Sequence, residues 1–159
     1  LPHHHTSLRH LYLGAHILGF VLWMGGGLAA MTVGIALRRG PRNDVPALLG
    51  VQERLHRTLI LPGSVLVVVS GLLLTLRLYS TATSVNGYPL PLMIMQGAGL
   101  LAAGIVLIVS LPTIGRLTRL DPAGPHAALF QALSRKLALA GSLSGLLALV
   151  ALIGGVLLR

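Results

Sequence analysis

Four long apolar stretches, residues 8–37, 55–79, 90–117 and 137–158, alternate with short segments rich in polar residues, glycine and proline. Each reaches or exceeds the roughly 20 residues a helix needs to cross about 30 Å of hydrocarbon. Backbone polar groups in lipid must be paired within the segment, so these stretches read as helices. The pattern predicts an all-α integral membrane protein, a four-transmembrane-helix bundle forming one domain over residues 1–159 with little outside the bilayer. Gly40-Pro41 stops the first helix, and residues 45–57 read as a short interfacial helix leading into span two. Asp121-Pro122-Ala123-Gly124-Pro125 forms the next turn; from His126 a helix resumes, with Leu129, Phe130 and Leu133 on one side, and runs on into span four. The remaining connection, residues 80–89, is polar with an Asn86-Gly87 turn signal, and Tyr79 and Tyr88 stand at its ends as interfacial anchors.

Composition sharpens this picture. Of the 159 residues 54% are hydrophobic and 9% charged, against about 25% charged in a soluble domain, which excludes an ordinary water-soluble globule. The absence of cysteine excludes disulfides, thiolate metal sites, iron–sulfur clusters and cysteine nucleophiles. The net charge of +9 comes from basic residues at helix ends, without the single basic face that nucleic-acid binding requires. Arg38, Arg39, Arg42, Arg54, Arg57, Arg116, Arg119, Arg135 and Lys136 fall on one membrane side, and only Arg9, Arg77 and Arg159 on the other. By the positive-inside rule the basic loops are cytoplasmic and both termini lie outside. The basic belt is expected to recruit anionic lipid at the cytoplasmic face.

Asp44, Glu53 and Asp121, the only acids, all lie outside the spans, which removes carboxylate proton relays and acid-coordinated cation sites from the bilayer interior. His16 is the ionisable group that remains in the outer half, roughly 7 Å below the outer boundary at 1.5 Å per residue. Tyr12, Gly19, Phe20, Trp23, Gly26, Gly27, Ala30 and Gly34 share its helical face. A glycine-lined strip beside a histidine leaves room for a planar cofactor or a metal; close helix packing, with His16 bonded to a neighbouring carbonyl or hydroxyl, is the competing expectation. Depth matching brings Gln96, flanked by Met93 and Met95, to the level of His16. Thr75 lies there too, on a face with Gly71 and Ser64, as do Ala151 and Gly155 of span four. A buried amide needs a partner, and Thr75 or His16 are the groups available to Gln96. Met93 or Met95 offers a thioether to haem iron or copper, or simply fills space.

Three further features are weaker. His56 and His126 start spans at the cytoplasmic surface, where they read as interfacial residues of the basic belt or as a second metal or phosphate site. His3-His4-His5 with His10 forms an outward-facing run suited to copper or zinc, or an ordinary tail. Gly141-Ser142-Leu143-Ser144-Gly145 is a small-residue motif for close helix contact, within the bundle or with a partner.

Span one, His10-Leu11-Tyr12-Leu13-Gly14-Ala15-His16-Ile17-Leu18-Gly19-Phe20-Val21-Leu22-Trp23-Met24-Gly25-Gly26, resembles the opening of a superfamily of small bacterial membrane proteins that includes copper-resistance protein D and the HemJ-type membrane protoporphyrinogen oxidase. Span two is similar as well, with Arg54-Leu55-His56-Arg57, then Pro62, then Ser70-Gly71-Leu72. The resemblance implies a four-helix core in the bacterial inner membrane that binds haem b or handles copper, with His16 as the ligand carried over. Where the oxidase branch carries a lysine in span three, this chain has Gln96 near that place. The expectations are therefore a haem b protein for electron transfer or redox chemistry near the outer face, with Gln96, Met93, Met95 and Thr75 around His16. The alternatives are an accessory subunit of a larger respiratory or photosynthetic membrane complex (or a homo-oligomer), and a copper-uptake protein.

Overall fold

The computed structural model describes residues 3–79 and 87–158, with side chains at 8–78 and 87–158. The imidazoles of His3, His4 and His5, the Tyr79 anchor, Asn86 and Arg159 lie outside the described residues. The protein is all-α, with four helical segments long and apolar enough to cross a membrane: Leu8–Arg39, Arg42–Leu78, Leu90–Leu117 and Ala127–Val156.

Helix α1 (His3–Arg39) ends where expected: the Gly40 N–H closes the last turn on the Ala36 carbonyl at 2.7 Å, and Pro41 is extended at ψ 145°. A short 3₁₀ turn, Arg42–Asp44, leads into α2 (Val45–Leu55), with Pro46 in the first turn, where a missing N–H costs no helical bond. The segment 45–57 does not stop at an interface. It runs through a π turn, His56–Ile60, into α3 (Leu61–Tyr79), so the second segment is one continuous rod. The third segment repeats the device: α4 (Leu90–Ile105), a π turn at Val106–Ser110, and α5 (Leu111–Leu117). Each π turn is followed by Leu-Pro. The Leu61 N–H bonds the His56 carbonyl and the Leu111 N–H bonds that of Val106, widening the turn just before Pro62 and Pro112. A proline ring clashes with the carbonyl four residues back in a regular helix, and the wider turn gives it room. Helix α6 (Ala127–Val156) runs unbroken from the second basic turn, as the pattern from His126 predicts.

The helices form two tight hairpins. In the first, α1 lies against α2 and α3; in the second, α6 lies against α4 and α5. Glycines let the backbones approach: a Cβ at Gly63 would sit 2.6 Å from the Trp23 nitrogen, and one at Gly19 2.9 Å from the Gly63 carbonyl oxygen. In the second hairpin a Cβ at Gly154 would meet the Pro91 carbonyl at 3.0 Å, and Ser144 donates to the Ala102 carbonyl at 3.2 Å. Trp23, Ala30, Ile60 and Val67 of the first hairpin join Ala102, Ala103 and Val106 of the second in the central core.

A second core was not foreseen. Residues 58–76, between Arg57 and Arg77, span about 28 Å at 1.5 Å per residue, close to the hydrocarbon thickness. Arg77 stacks its guanidinium 5.6 Å from the Tyr12 ring, which fixes that boundary on α1. At the other boundary Gly26 faces Leu59 and Ile60, and Gly34 faces Gln52, so Arg57 is level with the stretch of α1 just before Ala30. The last turns of α1, all of α2, the end of α5 and the start of α6 therefore project past the hydrocarbon. They enclose a core of Val45, Leu49, Ile114, Leu117 and Leu137, lined further by Leu37, Phe130 and Leu133. The bundle thus has a termini end and a longer basic end.

Candidate functional site

At the termini end two polar side chains, His16 of α1 and Gln96 of α4, converge on α3. His16 Nδ1 lies 3.0 Å from the Val67 carbonyl oxygen and 3.2 Å from Ser70 Oγ. A carbonyl only accepts, so Nδ1 carries the proton, and the lone pair of the neutral ring is on Nε2. Ser70 donates in turn to the Leu66 carbonyl. The ring fits because residue 71 is glycine: a Cβ there would meet His16 Cε1 at 3.1 Å. One turn further along, Gln96 of α4 donates from Nε2 to Thr75 Oγ1 at 2.6 Å, and Thr75 donates to the Gly71 carbonyl at 2.9 Å. Gly71 therefore touches both systems, one through its bare Cα and the other through its carbonyl.

Depth matching thus brings His16, Thr75 and Gln96 to one end of the bundle, with Thr75 as the partner of Gln96. It did not identify Ser70 or the Val67 carbonyl as partners of His16. Ser64, on the same side of α3, is fully buried but bonds its own helix at the Leu61 carbonyl, 2.9 Å away. The methionines stand apart: Met93 is 58% exposed on the outside of α4, and Met95 packs its sulfur beside Gly155 of α6. The glycine strip of α1 is filled at Gly19 and Gly26 and open at Gly27, where a Cβ would meet nothing within 4 Å. A Cβ at Gly19 or Gly26 would already strike Val67, Leu59 or Ile60 within 3.0 Å. At Gly19 and Gly26 this packing leaves no room for a planar group between α1 and α3.

The basic end holds a second set of polar side chains that the sequence reading placed at the surface or passed over. His56, beside the boundary residue Arg57, is turned inward at 5% exposure, and its Nδ1 donates to the Gln52 carbonyl at 2.8 Å, within its own helix. Gln52, Ser110 and Thr113 are buried nearby in the same half, whereas His126 is exposed at the start of α6. The structure therefore separates His56 from His126. The signal for the buried set is spacing: residues 52, 56, 60 and 64, and again 102, 106, 110 and 114, are buried at intervals of four. At 3.6 residues per turn each such step advances the face by about 40°, and the π turns take up that drift.

Among the described residues no three histidine, aspartate or glutamate side chains gather as a metal site. The nine basic residues of the longer end are all exposed, and the ion pair there is Arg57 Nε to Glu53 Oε1 at 2.9 Å. Compared with known protein families, curated sequences and solved structures, the chain finds no match.

Proposed function

We propose that the protein is a membrane haem b protein serving electron transfer or redox chemistry at its termini end, with His16 as axial ligand. The observation that carries this reading is the commitment of His16 Nδ1 to Val67 and Ser70. Metal-ligating histidines characteristically donate their other ring nitrogen to a carbonyl, which fixes tautomer and ring orientation and leaves Nε2 to the metal. The likeness of span one to the copper-resistance and HemJ-type superfamily points the same way. Bound haem supplies one-electron chemistry at a potential set by the axial ligand and its hydrogen bonds. Val67 and Ser70 orient the imidazole, and Gln96, held by Thr75, provides a polar neighbour one turn away. The macrocycle does not fit at Gly19 or Gly26, where α3 lies against the strip, so His16 would present it on another side.

The filled strip at Gly19 and Gly26, together with Gly141 and Gly145, whose Cβ positions meet nothing within 4 Å, favours a second reading: an accessory subunit whose open small-residue surface packs against a larger membrane complex. Copper uptake along Met93 or Met95 to His16 has less support, since neither methionine stands with the histidine.

The visible spectrum of gently solubilised protein decides between them. A Soret band that His16→Ala abolishes and His56→Ala leaves intact supports axial ligation. A full band in His16→Ala would falsify it, and a colourless protein co-purifying with large subunits supports the accessory reading. We also propose that the basic end faces the cytoplasm of a bacterial inner membrane and both termini face outward. Reporter fusions after Arg42 and after Asn86 should then read opposite compartments, with Arg42 inside; the reverse result overturns the orientation.

A further inference from the structure

An open groove of about 250 Å³ runs between the end of α5 and the first turns of α6, lined by Arg116, Arg119, Leu120, Leu129 and Leu133. The two arginines, three residues apart, share one face at the close of α5. Below them the leucines form an apolar floor: Leu129 is 48% exposed, and Leu120 and Leu133 are half-buried. The groove lies just past the hydrocarbon boundary. Gly154 faces Pro91 and Met95, and Ser144 bonds Ala102, so the antiparallel register of α4–α5 and α6 sets Lys136 level with Pro112. Arg116 and Arg119 lie just past that level, where long basic side chains reach the phosphates of a bilayer.

Nothing in the described protein neutralises this pair. The ion pair among the described residues is Arg57 with Glu53, at the other side of the sequence. Asp121, the one acid of the second basic loop, accepts the Ala123 N–H at 2.9 Å in its own turn. Arg135 and Lys136, also exposed, add to the same field from α6. Two unpaired guanidiniums beside exposed leucines, just past the level where the hydrocarbon ends, match one chemistry: a phosphodiester whose lipid chain runs from the groove into the bilayer.

We propose that this groove is a discrete binding site for one anionic glycerophospholipid, Arg116 and Arg119 holding the phosphate and Leu120, Leu129 and Leu133 contacting the chain. The leucine floor distinguishes such a lipid from free phosphate, which gains nothing from it. Basic pockets between transmembrane helices bind acidic headgroups in this way.

The test is native mass spectrometry of the full chain released from nanodiscs containing phosphatidylglycerol in excess phosphatidylcholine. One phosphatidylglycerol should stay bound. Arg116→Gln with Arg119→Gln should lower its retention about 25-fold, two basic side chains each contributing roughly fivefold near an anionic surface. Both arginines are exposed, so the variant keeps its packing. Arg38→Gln with Arg39→Gln, in the first basic loop, should leave retention unchanged, and Leu129→Gln should weaken it. Equal loss in the Arg38 and Arg39 variant would make the effect a diffuse property of the belt and overturn the site. Equal retention of phosphatidylcholine, unchanged retention in the Arg116 and Arg119 variant, or displacement by millimolar inorganic phosphate would overturn it as well.

Discussion

The two ends of the bundle solve the problem of holding helices together in opposite ways. At the termini end the polar bonds run between helices: His16 to Val67 and Ser70, and Gln96 to Thr75. At the basic end His56 bonds its own helix at the Gln52 carbonyl, and Thr113 does the same at the Val109 carbonyl. There, packing between helices falls to an apolar core of Val45, Leu49, Ile114, Leu117 and Leu137. Solvent explains the contrast. Within lipid, apolar side chains gain little by meeting each other, so close backbone approach and hydrogen bonds must join the helices. Past the hydrocarbon the hydrophobic effect returns, and leucine, isoleucine and valine do the joining.

The comparison predicts a ranking of substitutions. The largest effect should come from Ile114→Ala, at 1% exposure in the projecting core, which should cost about 2–5 kcal/mol as in a water-soluble protein. Reversible unfolding in mixed micelles measures it, and a cost well under 1 kcal/mol would mean that this core is not shielded from water as a soluble core is. Next is Gly63→Ala. Its Cβ would lie 2.6 Å from the Trp23 nitrogen and 2.8 Å from the Gly19 carbonyl, both backbone atoms that cannot turn aside. The strain should reach the upper part of the about 1–3 kcal/mol range of overpacked sites. Gly141→Ala, at a position with nothing within 4 Å, should be neutral or stabilising by up to roughly 1 kcal/mol, since mid-helix glycine is the less favourable residue. Similar behaviour of the two variants would break the contrast between packed and open glycines.

The smallest effect sharpens the comparison most. A double-mutant cycle of Gln96→Leu and Thr75→Val should return a coupling of about 0.6 kcal/mol, the average for interhelical hydrogen bonds in membranes. A cycle of Gln96→Leu with Thr113→Val should return none, because Thr113 bonds its own helix. Coupling in the second cycle and not in the first would reverse the assignment of cross-helix bonding to the termini end.

The sequence made some of this legible for identifiable reasons. Span length marked four crossings, and depth counting put Gln96 level with Thr75 and His16, because both measures depend only on rise per residue. The partner of His16 was out of reach: Val67 contributes a backbone carbonyl, which has no signature in residue type. The register that brings it within 3.0 Å is set by glycine contacts such as Gly19 on Gly63. The inward turn of His56 has no signal in its neighbours, since it stands between Arg54 and Arg57. Those arginines are exposed, while the π turn keeps His56 on the inward face with Ile60. The projecting core was missed for a related reason, since continuous apolar stretches do not reveal where lipid ends and water begins.

The π turns also determine how this chain can change length. Removing one residue from a regular helix rotates everything beyond it by about 100°, which in span two or three would turn the buried face outward. A π turn is an α-helix carrying one residue more than its turn requires. Shortening His56–Ile60 or Val106–Ser110 by a single residue, with Pro62 or Pro112 replaced by alanine, would leave the segments on either side in phase. The two places where spans two and three look most irregular are therefore where the bundle can absorb a one-residue deletion without repacking.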